Sequence, residues 1–129
     1  MEEINTVAVD LHVKRYSDFD LLRIAKAVSQ DYDGLVTGYM VNVHIHACSA
    51  VGVVFGHVCP GPYQRFADGR LIRTSDIQFV TKEGRFWVIN TVNSKYVIAT
   101  FRRDVGRRSL REFLRIAGAR YLPTPDRLQ

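Results

Sequence analysis

The residue types best suited to chemistry crowd into residues 44–59: His44, His46 and Cys48, then His57 and Cys59. Along a strand, residues two apart share a face, so His44, His46 and Cys48 project together, as do His57 and Cys59. A turn around Val51 and Gly52 would place His46 opposite His57 and His44 opposite Cys59. Imidazole and thiolate within a few ångströms of each other suit Zn²⁺ or another transition metal such as Fe²⁺ or Ni²⁺. His44, His46, His57 and Cys59 are the expected ligands. The plainer reading makes all of them half-buried sheet residues, with cysteine acting as a small hydrophobe. A Cys48–Cys59 disulfide is geometrically thinkable but does not suit a cytoplasmic chain.

Two other groups of residues are suited to anions. In residues 65–75, Arg65, Phe66, Arg70 and Arg73 surround an Asp68-Gly69 turn and lead into Thr74 and Ser75. Guanidinium forks pair with phosphate oxygens, and an aromatic ring can stack on a base. Arg107, Arg111 and Arg115 recur every four residues and share one face of a helix. The bland alternatives are a solvated turn with Phe66 in the core, and a solvated helix face. Asp68 and Asp76 are better explained as turn and strand residues than as an acid–base pair. No GxGxxG, P-loop or HExxH occurs, and no glycine-rich oxyanion turn accompanies either cysteine. Binding is therefore favoured over catalysis.

The elements that must position these groups are legible from pattern. Residues 71–101 hold three β-branched and aromatic runs separated by Glu83-Gly84 and Asn93-Ser94, which predicts an antiparallel meander over 71–80, 85–92 and 95–101. Alternation predicts strands over 6–14, 35–48 and 53–59, with Tyr39, Val41, Val43, Ile45 and Ala47 as one apolar face. Ser17 is the expected N-cap of a helix over 18–30 whose apolar stripe is Leu21, Leu22, Ile24, Ala25 and Val28. Ser109 is the expected cap of a second helix over 109–118, followed by an extended tail over 119–129. The expected fold is a single α+β domain: a bent antiparallel sheet or partly open small β-barrel of about six strands, with one helix before it and one after.

Composition sets the class of partner. Of 129 residues, 47% are hydrophobic and 24% charged, the balance of a globular protein that needs no staples. The acidic, alternating start is unlike a signal peptide, and no apolar run reaches the roughly 18 residues of a membrane span, so a cytoplasmic protein without a membrane partner is expected. The formal net charge is +5, and residues 102–129 carry eight cations, all arginine, against three acids. That excess favours an anionic partner.

One further pattern is shared with small phage and prophage accessory proteins. A short strand ends in Gly-His at residues 53–57, Arg-Phe-x-Asp-Gly-x-x-Ile-x-Thr-Ser follows at 65–75, and a hairpin closes on Asn-Ser-x-Tyr at 93–96. In this the chain resembles the Thoeris anti-defence sponge family, oligomers that sequester a cyclic ADP-ribose-type signal with arginines and an aromatic. The resemblance implies a phage anti-defence factor, a homo-oligomer, and a pocket containing Arg65, Phe66, Arg73 and Asn93. His-x-His on a strand also resembles the metal motif of cupins, although no glutamate occurs between Glu3 and Glu83 to complete their set.

The function expected is non-enzymatic binding of an anionic, nucleotide-like ligand or a nucleic acid. Arg65, Arg73, Arg107 and Arg111 would supply charge, Asn93 a polar contact, and Phe66, Tyr63 or Trp87 a stacking surface. The rivals are an inhibitor module that binds a host protein, and a metal-dependent enzyme built on His44, His46 and His57.

Overall fold

A computed structural model describes residues 15–117; the strand expected over 6–14 and the tail over 119–129 lie outside them. The elements are α1 (Asp18–Val28), β1 (Gly38–His46), β2 (Ser49–Phe55), a 3₁₀ turn (Pro62–Gln64), β3 (Arg70–Arg73), β4 (Phe79–Glu83), β5 (Phe86–Asn90), β6 (Lys95–Ile98) and α2 (Gly106–Ala117). One sheet holds all six strands in the order β3-β2-β1-β6-β5-β4. Its neighbours are antiparallel except β1 and β6, which run parallel, so the sheet is mixed. The α+β class, with a helix before the sheet and another after it, is as expected.

The central strand carries the feature that sorts the cores. In β1, Val41 pairs with Val53 but His44 pairs with Val51, so one extra residue is accommodated between them. Asn42 takes φ 60 there, a left-handed value of the kind found in G1-type bulges. The bulge turns the strand over. Tyr39 and Val41 join one core with Val53, Phe86, Val88, Val97 and α1's Ala27. Val43 and Ile45 join Met40 in the other, with Val54, Ile89, Ile98 and α2's Leu110 and Phe113. The single apolar face expected from Tyr39 through Ala47 is thus divided between two cores, and Ala47 is exposed. Strict alternation missed this because a bulge shifts the parity of every later residue.

Two more boundaries differ. The β1–β2 turn is Ala47-Cys48, closed by His46 opposite Ser49, and not the Gly52 region. Gly52 lies inside β2, where a Cβ would meet Val43 Cγ2 at 2.8 Å and the Val41 carbonyl at 2.9 Å, so it marks close packing against the bulge and not a turn. The run expected as one strand over 71–80 divides into β3 and β4, which form opposite edges of the sheet. A flat six-stranded sheet would set those edges roughly 24 Å apart, more than the roughly 20 Å that residues 73–79 reach when extended. The sheet must therefore curl. The linking segment confirms the closeness: the adjacent amides of Ile77 and Gln78 donate to Cys48 and Asn90 carbonyls, each at 2.7 Å. The sheet is curved but not closed into the barrel that was one of the two expected forms.

Both helices are held at their starts. Ser17 caps α1 with a reciprocal capping box, its hydroxyl accepting from the Asp20 amide and Asp20 accepting from the Ser17 amide. The inward face is Asp20, Ile24 and Ala27, so of the expected stripe only Ile24 turns inward, while Leu21, Leu22, Ala25 and Val28 are exposed. Gly106 opens α2, earlier than the expected cap at Ser109. Ser109 lies within the helix; its hydroxyl donates to the Gly106 carbonyl and accepts from the Ile45 amide, fastening α2 to β1.

Candidate functional site

The Ala47-Cys48 turn decides the fate of the histidine–cysteine set. His44 faces Val51 and His46 faces Ser49 at one end of the β1–β2 hairpin. His57 lies beyond the far end of β2, with its Cα beside Gly38, where β1 begins. Eight strand steps separate Gly38 from His46, about 26 Å. The expected metal set of His44, His46, His57 and Cys59 is therefore not assembled. Among the described residues, no group of three or more His, Cys, Asp or Glu could hold an ion. Cys48 and Cys59 are free thiols. Misplacing the hairpin turn was the source of the expectation.

His57 has another role. Its Nδ1 accepts from the Cys59 amide at 3.0 Å, which leaves Nε2 to donate to the Tyr96 hydroxyl at 3.1 Å. Its ring stacks on Phe66 at 4.5 Å and 10°. Burial lowers the imidazole pKa from its ordinary value. These contacts fold the 57–68 loop onto the sheet.

The residues singled out in 65–75 and 93 lie on three elements: the loop before β3, β3 itself and the β5–β6 turn. Phe66 has one ring face closed by His57, and Arg65 lies over its ring at 5.6 Å. Asn93 is exposed on the β5–β6 turn. Arg73 is exposed on β3 opposite Val51, at the hairpin-turn half of the sheet. Trp87 packs against the Met40 core with Lys82 over its ring, whereas Tyr63 is 91% exposed.

Arg107 and Arg111, by contrast, line a cleft. It measures about 630 Å³ and lies between the first turns of α1 and α2, walled also by Phe19, Arg23, Phe101, Arg102, Arg103 and Arg108. Asp104 is the one carboxylate among the described residues of its lining. Several guanidiniums are held in place by neutral partners. Arg23 Nε donates to the Ala99 carbonyl at 3.1 Å while its head lies 4.7 Å from the Phe86 ring centre. Arg107 lies 4.7 Å from the Phe101 centre, and Arg108 Nη2 donates to the Asp104 carbonyl at 3.0 Å. Such contacts fix a planar fork without neutralising it. The ion pairs among the described residues, Lys95–Glu83 and Arg115–Glu112, involve none of the cleft arginines. Arg115, third in the expected series, is thereby drawn off to Glu112.

The cleft's positive field reaches its surroundings. His44 has its pKa lowered by burial first, then by the charges of Arg102 and His46. Its buried Nδ1 has no hydrogen-bond partner. Reading the sequence for stripes found Arg107 and Arg111 but missed Arg23, Arg102, Arg103 and Arg108. The arginine-only run directly after the last strand was the available signal. Arg23 had none, because its place depends on α1 crossing the end of β6. No helix among the described residues is long and apolar enough to cross a membrane. No protein-family model, curated protein or solved structure matches this chain.

Proposed function

We propose that this protein binds a phosphate-bearing anion in the arginine cleft, without chemical conversion. The observation that carries the reading is the lining itself: among the described residues, six arginines and one carboxylate around a single cavity of about 630 Å³. Guanidiniums gathered without ion-pair partners among the described residues repel one another, and a bound anion relieves that repulsion. Fixed forks also lose less freedom on binding phosphate than mobile lysines would. The reading keeps Arg107 and Arg111 and does not depend on Arg65, Phe66, Arg73 or Asn93.

Calorimetric titration with inorganic tripolyphosphate at low salt tests it. The wild type is expected to saturate, and Arg103→Ala/Arg107→Ala to bind at least about tenfold more weakly, since each charge-assisted hydrogen bond is worth roughly 1.5–3 kcal/mol. Equal affinity in the double variant would place the anion elsewhere, and no binding by the wild type would end the proposal.

A further inference from the structure

The cleft is one segment of a longer trough. It shares Phe19, Thr100, Phe101 and Arg103 with a second cleft of about 420 Å³ that adds Arg15 and Asn42. That cleft shares Arg15 and Asn42 with a third, of about 290 Å³, which reaches His44 and Leu71 and returns to Arg102. Arginines therefore line the trough from one end to the other. The second carboxylate along it among the described residues, Asp20, is 8% exposed. Its oxygens accept from the Ser17 amide and the Thr100 hydroxyl, both at 2.8 Å, so its hydrogen bonds are made within the protein while its charge remains.

From this continuity we infer that the ligand is a single-stranded nucleic acid, a proposal that rests on the anion-binding reading above. A free nucleotide concentrates its charge at one end, whereas a phosphodiester strand presents a charge at every step, as this trough does. Small-ligand sites are mostly apolar and enclose their occupant. Here Arg102, Arg103, Arg107, Arg108 and Arg111 are all exposed. An aromatic platform completes the arrangement. Phe19 walls both of the first two clefts and is 63% exposed, turned away from either core. A bare ring beside a row of guanidiniums is how sequence-tolerant strand binders hold a base while tracking its backbone. Paired bases keep their faces inside the duplex, so Phe19 can serve only a strand whose bases are free.

Fluorescence anisotropy with labelled oligo-dT and oligo-rU of about 12 nucleotides, within the usual range of strand-binding site sizes, tests the inference. Binding is expected for one or both, with affinity falling linearly on log axes as salt rises, by about 0.7 for each phosphate contacted. Phe19→Ala is expected to weaken oligonucleotide binding by roughly 5- to 100-fold. Any loss of tripolyphosphate affinity should be much the smaller of the two, and Phe19→Tyr should restore the strand. Because Phe19 is exposed, the variant's circular dichroism should match the wild type. Three results would overturn the inference while leaving the anion site standing: thymidine triphosphate or poly-glutamate binding as tightly as the oligonucleotides, a duplex doing so, or Phe19→Ala having no effect. Absence of binding to both tripolyphosphate and the oligonucleotides would remove the anion site as well.

Discussion

The Thr100 hydroxyl donates to Asp20 Oδ1 at 2.8 Å and accepts from the Asn42 amide at 2.8 Å. One buried side chain thus ties the first turn of α1 to the bulge of β1 at the end of β6. The Asn42 side chain extends the link, its amide donating to the Arg15 carbonyl at 2.8 Å. These residues form the floor on which the cleft arginines stand. The polar network therefore belongs to the site as much as to the fold.

Replacing Thr100 by valine keeps its shape and removes both hydrogen bonds. Asp20 and the Asn42 amide would each lose a partner, and an unsatisfied buried polar group costs about 1–3 kcal/mol. Thr100→Val should lose roughly 2–4 kcal/mol in a urea denaturation series, with Thr100→Ser close to the wild type. A valine variant within about 0.5 kcal/mol of the wild type would mean the network contributes nothing.

Gly106 presents a contest between two effects. Alanine is preferred over glycine within a helix by about 1 kcal/mol, which argues for stabilisation. A Cβ at 106 would, however, sit 2.5 Å from the Val43 carbonyl and 2.7 Å from Phe101 Cβ, both on backbone-anchored positions. The clash should win. Gly106→Ala is expected to lower the melting temperature, by a net cost of about 1–3 kcal/mol. A rise instead would show that α2 does not approach β1 this closely.

How much of this was legible in the sequence depends on whether the signal was local. The Ser17 cap, the β4–β5 turn at Gly84 (φ 61) and the apolar runs of the meander are local, and they carried the fold class. The β1–β2 turn was not legible, because Ala47 takes φ 55 with none of the usual turn residues to announce it. Asn42 looked like an ordinary polar strand position, and its left-handed backbone follows from long-range bonds to Thr100 and Arg15. The arginine site was half legible: Arg107 and Arg111 fall on a stripe, whereas Arg23 reaches the cleft only through tertiary packing.

Glu83 and Lys95 form an ion pair at 2.9 Å with side chains only 9% and 13% exposed. Glu83 also accepts from the Asp33 amide at 2.9 Å and the Thr81 hydroxyl at 3.2 Å, while Lys95 reaches the Asp33 carbonyl. The pair thus pins the segment after α1 to β4 and β6. Removing one partner of a buried pair leaves an uncompensated charge, at about 3–5 kcal/mol, whereas removing both is far milder. Lys95→Met should be strongly destabilising, and adding Glu83→Gln should recover much of the loss. A double-mutant cycle that proves additive would show the two side chains acting independently.

Burial depresses the His57 pKa from its ordinary value of about 6.5, so folding holds the ring neutral. Protonation would also force Nδ1 to give up the Cys59 amide. Over the window between the lowered pKa and about 6.5, the unfolded chain binds more protons than the folded one, so stability rises with pH there. The contribution is complete above about 6.5 and disappears as pH falls through the folded value. His44, depressed by burial and by Arg102, adds a slope of the same sign. In His57→Phe, the new ring keeps the stack on Phe66 but cannot titrate. Its unfolding free energy should therefore depend less on pH below about 6.5 than that of the wild type, and a further change at His44 should reduce the slope again. Parallel curves for the wild type and His57→Phe would mean that His57 titrates in the folded protein as it does in the unfolded chain.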